Sequence, residues 1–303
     1  TDSGNYSLIQ PTLSGDITAK ELTISGLTGD NKVYDGTSAA SATGTASLEG
    51  VISEDDLSRI VEFGDDVSLG GSPVYTFASA NVGTGITVTT TGYTISGPGA
   101  SNYTLTQPTL SGDITQAPLT ITADADQTKV YGATDPVLTY TITGFVNGDT
   151  EDDLDTSVSI LRGAGETVGT YSIIAFAAAA SNYTVSFVTA DFTITQAALT
   201  VTASDQTKVY GATDPTLTYS ITGFQGTDTE ADLDTAVSIS RAVGEDVDTY
   251  TITPSAAAAS NYSVSFVTAD FTITQAPLTV TADTATKVYG ATDPVLTYTI
   301  TGF

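Results

Sequence analysis

"TKVYGATDPVLTYTITGF" occupies Thr128 to Phe145 and returns unchanged at Thr286 to Phe303, with a near copy, "TKVYGATDPTLTYSITGF", at Thr207 to Phe224. Lys129, Lys208 and Lys287 are therefore 79 residues apart in each interval. Self-similarity at one fixed period makes the repeat the unit to be explained. Inside it, "LTYTITGF" (Leu138 to Phe145) alternates apolar and hydroxylated residues, the period-two pattern of a half-buried strand. "LTITA" (Leu119 to Ala123), "TYSIIAF" (Thr170 to Phe176), "YTVSF" (Tyr183 to Phe187) and "DFTIT" (Asp191 to Thr195) alternate in the same way, and "YGATDP", "NGDTEDD" and "AAAASN" supply turn residues between them. Helical periodicity never lasts beyond about a turn. Short helical pieces are expected only at "DTEDDLDT" (Asp149 to Thr156) and "SEDDLSRIV" (Ser53 to Val61), with Thr150 or Ser53 as N-cap. The expected fold is all-β, a tandem array of small immunoglobulin-like β-sandwich modules. A β-grasp-like module is the alternative if the acidic piece grows into a helix.

Working outward, "GNYSLIQPTLSGDIT" (Gly4 to Thr18) matches "SNYTLTQPTLSGDIT" (Ser101 to Thr115). Residues 1–18 then read as the C-terminal fragment of a preceding module, and 19–115 as a longer module around "NKVYDGTSAA" (Asn31 to Ala40). Residues 116–195 and 196–274 are two closely matched modules, and 275–303 is the N-terminal fragment of a further one. The chain is expected to be an excerpt of a longer array in which each module buries its own small core.

Composition narrows the chemistry. Of 303 residues 40% are apolar and 14% charged, which suits folded modules and not a disordered acidic tail. Cys and His are both absent, removing disulfides, thiolate or imidazole metal sites and the Ser-His and Cys-His nucleophilic pairs. Eight Lys and Arg against 35 Asp and Glu give a formal charge of -27, which repels a polyphosphate backbone and favours hydration and divalent cations. No apolar run is long enough to span a bilayer as a helix. Neither nucleic-acid binding nor membrane insertion is expected.

"KVYGATDPVLTYTITGF" followed by "GTYSI" (Gly169 to Ile173) and "NYTVSF" (Asn182 to Phe187) resembles the MBG repeats of the Tyr-Gly type found in very large bacterial surface proteins. "NKVYDGTSAA" with "FASANVGTGITVT" (Phe77 to Thr89) resembles the YDG repeats that accompany them. The resemblance implies an extracellular, tandemly repeated, mostly β module of bacterial adhesins or surface filaments, with no enzymatic role. The expected function is a structural stalk or filament segment, extending as a rod at the cell surface. Two alternatives stay open: an extracellular fibre in which identical chains pair or exchange strands, and a ligand-binding adhesin module at 19–115, acting on a surface receptor through the loops around "SEDDL" and "GGSPVY". Neighbouring modules of the same chain are the partners common to all three.

Carboxylates carry the candidate cofactor chemistry. Asp149, Glu151, Asp152, Asp153 and Asp155 recur in the next repeat as Asp228, Glu230, Asp232 and Asp234, with Ala231 replacing one acid. Such a run can hold calcium through oxygen ligands, although it lacks the EF-hand pattern, and it reads equally as a capped turn with a solvated face. Asp126 and Asp205 in the links between modules form a second candidate calcium site. Lys129 with Asn182, and Lys208 with Asn261, carry the ingredients of an intramolecular isopeptide bond, which needs a buried neutral amine beside the amide. The same Lys also suits an exposed strand entry, and each Asn a turn or a glycosylation triplet. Tyr131, Tyr140, Tyr183 and Tyr210 are expected to pack in cores or at sheet edges.

Overall fold

The computed structural model describes residues 3–7, 9–52 and 66–303. The described chain is all-β, built of several small sheets in tandem, and its helical structure is confined to three-residue 3-10 turns. No helix among the described residues is long and apolar enough to cross a membrane. Alternation fixes which face each strand buries: along Ala117–Ala123 the residues Ala117, Leu119, Ile121 and Ala123 are buried and the ones between them are not. Its counterpart Ala197–Ala203 repeats the pattern residue for residue. The acidic stretch forms one turn, Glu151–Asp153, with Asp153 accepting from the Thr150 amide at 2.7 Å, so Thr150 caps it as expected. No longer helix follows it, so these modules have no helix for a β-grasp sheet to hold. The expected piece at Ser53 to Val61, and with it "SEDDL", lies outside the described residues. "GGSPVY" is not a loop: it lies within the strand Ser68–Phe77, with a register shift between Gly71 and Val74.

The two matched repeats share one plan. Residues 116–195 make a three-stranded sheet, Tyr140–Thr143, Ala117–Ala123 and Tyr183–Val188, and a four-stranded one, Gln127–Val130, Ala190–Thr195, Gly169–Phe176 and Ser159–Arg162. Tyr183–Val188 lies parallel to Ala117–Ala123, and Ala190–Thr195 parallel to Gln127–Val130. A parallel pair needs a long crossover, and here the crossover is most of the repeat itself. The last two strands therefore close the module onto its first two, one in each sheet. Three plus four strands is the count of a constant-type immunoglobulin sandwich, to which these parallel closures are an addition. The region 19–115 uses the same closure: Tyr103–Leu105 runs parallel to Lys20–Gly29, and Thr109–Thr115 parallel to Lys32–Val33.

The chain divides into two compact units, one of Thr1–Thr122, Tyr140–Ser159 and Ala175–Val188, the other of Ala123–Thr139, Ile160–Ile174 and Thr189–Phe303. In the first unit one apolar cluster joins Tyr34, Phe77, Val88 and Ile114 to Ala117, Leu119, Ala180 and Tyr183. A smaller one holds Ile121, Ala175 and Ala178. In the second unit Ala123, Ile173, Phe192 and Ile194 form a cluster whose counterpart is Ala203, Ile252, Phe271 and Ile273. A further cluster, Ala197, Leu199, Ala259 and Tyr262, has Tyr131 packed against it. The expectation that each module closes around its own interior is thus corrected: Tyr34 belongs to a cluster drawn equally from its own region and the following repeat, and Tyr131 packs on one built from the following repeat. Sheets of three short strands carry few large side chains, and fully burying one Leu or Phe is worth only about 1.5–3 kcal/mol. Pooling side chains across the boundary enlarges a core that one repeat cannot supply.

Candidate functional site

The residues that recur at the boundaries form one constellation, present once in each unit. In the first unit, the strand that ends "KV" at Val33 delivers Tyr34, whose amide is held by the Thr115 carbonyl at 2.8 Å. The ring meets Tyr183 edge-on, with centroids 5.4 Å apart and planes at 78°. Both hydroxyls donate to the same carboxylate oxygen, Asp149 Oδ2, Tyr34 at 2.9 Å and Tyr183 at 2.7 Å. Phe145 also packs edge-on against Tyr183, with centroids 5.6 Å apart. The Tyr183 hydroxyl in turn accepts the Val146 amide. Asn182 Oδ1 accepts the Val82 amide at 3.0 Å, fastening the region 19–115 to the next repeat at a second point.

The second unit repeats this between residues 116–195 and 196–274. The Tyr131 amide is held by Thr195 at 2.8 Å, and its ring meets Tyr262 edge-on at 5.4 Å and 78°. Asp228 Oδ2 accepts from Tyr131 at 3.0 Å and from Tyr262 at 2.6 Å, while Phe224 packs on Tyr262. Asn261 Oδ1 accepts the Val168 amide at 3.0 Å. Burial first, then the bond to the carboxylate, pushes Tyr183 and Tyr262 up to about 12. Tyr34 is raised chiefly by burial, and Tyr131 chiefly by its bond to Asp228. A half-buried carboxylate that accepts from two neutral phenols, one from each repeat, is a charge-assisted clamp.

The glycine that follows explains the Tyr-Gly pair. Gly132 sits at φ +80°, and a Cβ there would lie 2.5 Å from the Cβ of Gln225 in the next repeat. Only a residue without a side chain lets that loop approach so closely.

The other expected site residues separate into different tasks. Glu151 and Glu230 accept from the hydroxyls of Tyr140 and Tyr219. Asp153 and Asp232 cap their turns through the Thr150 and Thr229 amides. Asp155 accepts from the Ser181 hydroxyl, and Asp234 from the Ser260 amide and hydroxyl. Asp205 accepts the Asp270 amide, and Asp126 takes a left-handed turn conformation at φ +61°. Among the described residues, no three acids come together in an arrangement that could hold a metal ion. The carboxylates expected to converge on calcium are instead spread over hydroxyl and amide donors.

The lysines also depart from a solvated strand entry. Lys129 and Lys208 are 7% and 8% exposed. Lys129 Nζ pairs with Asp135 at 2.6 Å and with Glu166, and Arg162 bridges the same two acids through its Nε and Nη2. Lys208, Asp214, Arg241 and Glu245 repeat the network. The guanidinium lies over an aromatic ring of the core, Phe192 at 5.2 Å for Arg162 and Phe271 at 4.7 Å for Arg241. Such a planar cation satisfies two carboxylates while stacking on the ring. Asp135 and Asp214 are held down at about 2, first by the Arg and then by the Lys, and both lysines are raised by their acid partners. A lysine held protonated in this way is not the neutral amine an isopeptide bond needs. Asn182 and Asn261 are meanwhile engaged by the backbone amides of Val82 and Val168.

Sequence reasoning left the four-membered ion network unassigned, and it gave the shared carboxylates Asp149 and Asp228 to calcium and not to the paired phenols. Their signal was recurrence: Asp149, Arg162 and Glu166 all reappear 79 residues on, whereas Asp152 is replaced by Ala231.

The comparisons agree with this layout. The family model described as MBG domain (YGX type) matches residues 119–193, 199–272 and 278–303, and the YDG domain model matches 18–110. No curated protein matches the chain. The first model alone covers more than half of the residues, and its Tyr-Gly pairs are those at the boundaries described above: the chain belongs to the MBG (YGX type) family, with a YDG domain preceding its MBG repeats.

Proposed function

We propose that the chain is a structural stalk segment of a bacterial surface protein, working outside the cell by setting distance and limiting bending, without catalysis. MBG and YDG domains are repeat modules of surface or adhesin-like proteins, which supports the setting. One observation carries the mechanical part: two successive boundaries are fastened by the same Tyr, Tyr, Asp, Phe and Asn set, with equal ring geometry at 5.4 Å and 78°. A flexible linker would need none of these contacts, whereas a spacer of fixed reach needs the same contact at every step. The acidic surface suits this role by keeping neighbouring molecules hydrated and apart.

Small-angle scattering tests the proposal, comparing the 303-residue chain with a version in which residues 196–274 are duplicated in tandem. Strands of this length at about 3.3 Å per residue predict an increase in maximum dimension on the order of 25–40 Å per added repeat. Growth no greater than the added mass would give a compact particle would overturn the stalk reading.

A further inference from the structure

The two matched repeats share a backbone plan and differ in what one of their sheets presents to solvent. Strand Ser159–Arg162 ends the strand order of its four-stranded sheet among the described residues, next to Gly169–Phe176. Its counterpart Ser238–Arg241 ends the corresponding sheet, and there Ser240 stands opposite Thr253. The Gly163 amide bonds the Ser172 carbonyl at 2.8 Å, as the Ala242 amide bonds that of Thr251 at 2.9 Å, so both hairpins keep one register. Leu161 and Ile174 therefore hold the positions of Ser240 and Thr253 and lie side by side. They are 46% and 40% exposed, and Phe176, two residues further along the same face of its strand, is 41% exposed where the next repeat has Ser255. A single exposed apolar side chain is ordinary, but three share this face. The next repeat builds the same sheet with Ser, Thr and Ser, so folding gives no reason for Leu, Ile and Phe here.

The edge and its other face supply the rest of a binding surface. In an antiparallel ladder the main-chain groups point alternately to the neighbouring strand and away from it. With Gly163 bonded to Ser172, Leu161 faces the neighbouring strand, and Ile160 and Arg162 turn their amides and carbonyls to the open edge. Such an edge is a template for one more strand. On the face opposite Leu161, Arg162 is bound to Asp135 and Glu166. The cations of that network are covered, with side chains 4% exposed for Lys129 and 8% for Arg162, whereas those of Asp135 and Glu166 are 40% and 69% exposed. The charge shown to solvent is negative, and residues 116–195 contain no other Lys or Arg.

We infer that strand Ser159–Arg162 takes up an extended segment of a partner protein in which apolar residues alternate with Lys or Arg. The segment adds to the sheet edge through the main chain of Ile160 and Arg162. Its apolar side chains lie beside Leu161 and Ile174, and its cations turn towards Glu166 and Asp135. Charge argues against a second copy of this chain as the occupant, because at -27 it would bring acids to acids. The array then carries one docking position on a repeated scaffold, a role beyond spacing.

The test titrates the 303-residue chain with a fluorescein-labelled heptapeptide of alternating lysine and valine, read by fluorescence anisotropy. Saturable binding is expected, with hydrogen exchange slowed at the Ile160 and Arg162 amides and unchanged at those of Ile239 and Arg241. A heptapeptide of alternating lysine and serine carries the same charge and should bind at least about tenfold more weakly, because it forfeits burial against three half-exposed side chains. Exchanging the face for that of the next repeat, Leu161→Ser with Ile174→Thr and Phe176→Ser, should weaken the valine peptide by a similar factor while the chain still melts cooperatively. Equal binding of the two peptides, equal binding to the parent and the exchanged chain, or no saturation overturns the inference. So does a concentration-dependent rise in mass above 30.9 kDa that the exchange abolishes, which would give the face to a second copy. The stalk reading stands or falls separately, since its scattering test contains no peptide and alters none of these residues.

Discussion

Gly132 and Gly211 stand at the same point of successive repeats and share a left-handed backbone, at φ +80° and +81°. They differ in surroundings, because only Gly132 has the next repeat's Gln225 against it. Alanine at Gly211 should therefore cost only the price of a left-handed conformation, about 1–2 kcal/mol. Gly132→Ala adds a clash with Gln225 to that cost, so its urea midpoint should fall further than that of Gly211→Ala. Equal midpoints would mean that the close approach at Gly132 contributes nothing. The paired tyrosines make a second prediction at this scale. Their folded pKa values lie above the ordinary 10.0, at about 12 for Tyr183 and Tyr262, because burial and the shared carboxylate oppose a second negative charge. A group whose pKa rises on folding contributes stability that is complete below the unfolded pKa and lost as pH climbs through the folded one. The clamps should accordingly hold up to about pH 10 and release between there and about pH 12, visible as a late, cooperative phenolate absorbance step. Tyrosines that all titrate in one early step near pH 10 would show that the clamp does not persist in solution.

At the scale of elements, the strands were legible because Thr and Ser alternate with aliphatic and aromatic residues over enough positions to define a face, as along Leu119 to Ala123. Pairing was not legible, since a period of two says which face is buried and nothing about which strand lies alongside. The parallel closure of Tyr183–Val188 onto Ala117–Ala123 spans most of a repeat and leaves no local mark. The ion network was hidden for a related reason: Lys129 and Arg162 lie on two different strands and Asp135 and Glu166 on the turns that follow them, and Asp135 before Pro136 already had a sufficient local explanation. That network makes an acid-side prediction. Asp135 and Asp214 sit at about 2 against an ordinary 3.8, so their stabilisation is complete above about pH 4 and disappears as pH falls towards 2. Arg241→Lys keeps the charge but loses the two-pronged contact with Asp214 and the stacking on Phe271. The variant should unfold at a higher pH than the parent in an acid titration followed by circular dichroism. An unchanged acid midpoint would reduce the network to surface decoration.

At the scale of the whole molecule, the consequence of Tyr34 and Tyr131 is that a repeat is not an energetically independent bead. In linear arrays stability is the sum of what each repeat supplies and what each boundary supplies, and the boundary share decides whether neighbours melt together. Tyr131 tests that share, since its backbone belongs to one repeat and its ring and hydroxyl to the next. Tyr131→Ala removes the ring from the cluster of Leu199 and Tyr262 and one of the two donors to Asp228. A large-to-small change in a fully packed core costs about 3–5 kcal/mol, and the half-buried position of this ring places the effect at or below the low end of that range. Its location matters more than its size. If the boundary couples the repeats, hydrogen exchange should quicken along Ala197–Ala203 and Tyr262–Val267, strands of the repeat that does not contain the substitution. Gln127–Val130, which leads into Tyr131, should be less affected, because its pairing with Ala190–Thr195 and the Lys129 ion pairs remain. Exchange that quickens only around residue 131 itself would mean that the repeats fold as separate beads joined by contacts of little energetic weight, and the fixed spacing proposed for the array would then have to come from something other than its tyrosines.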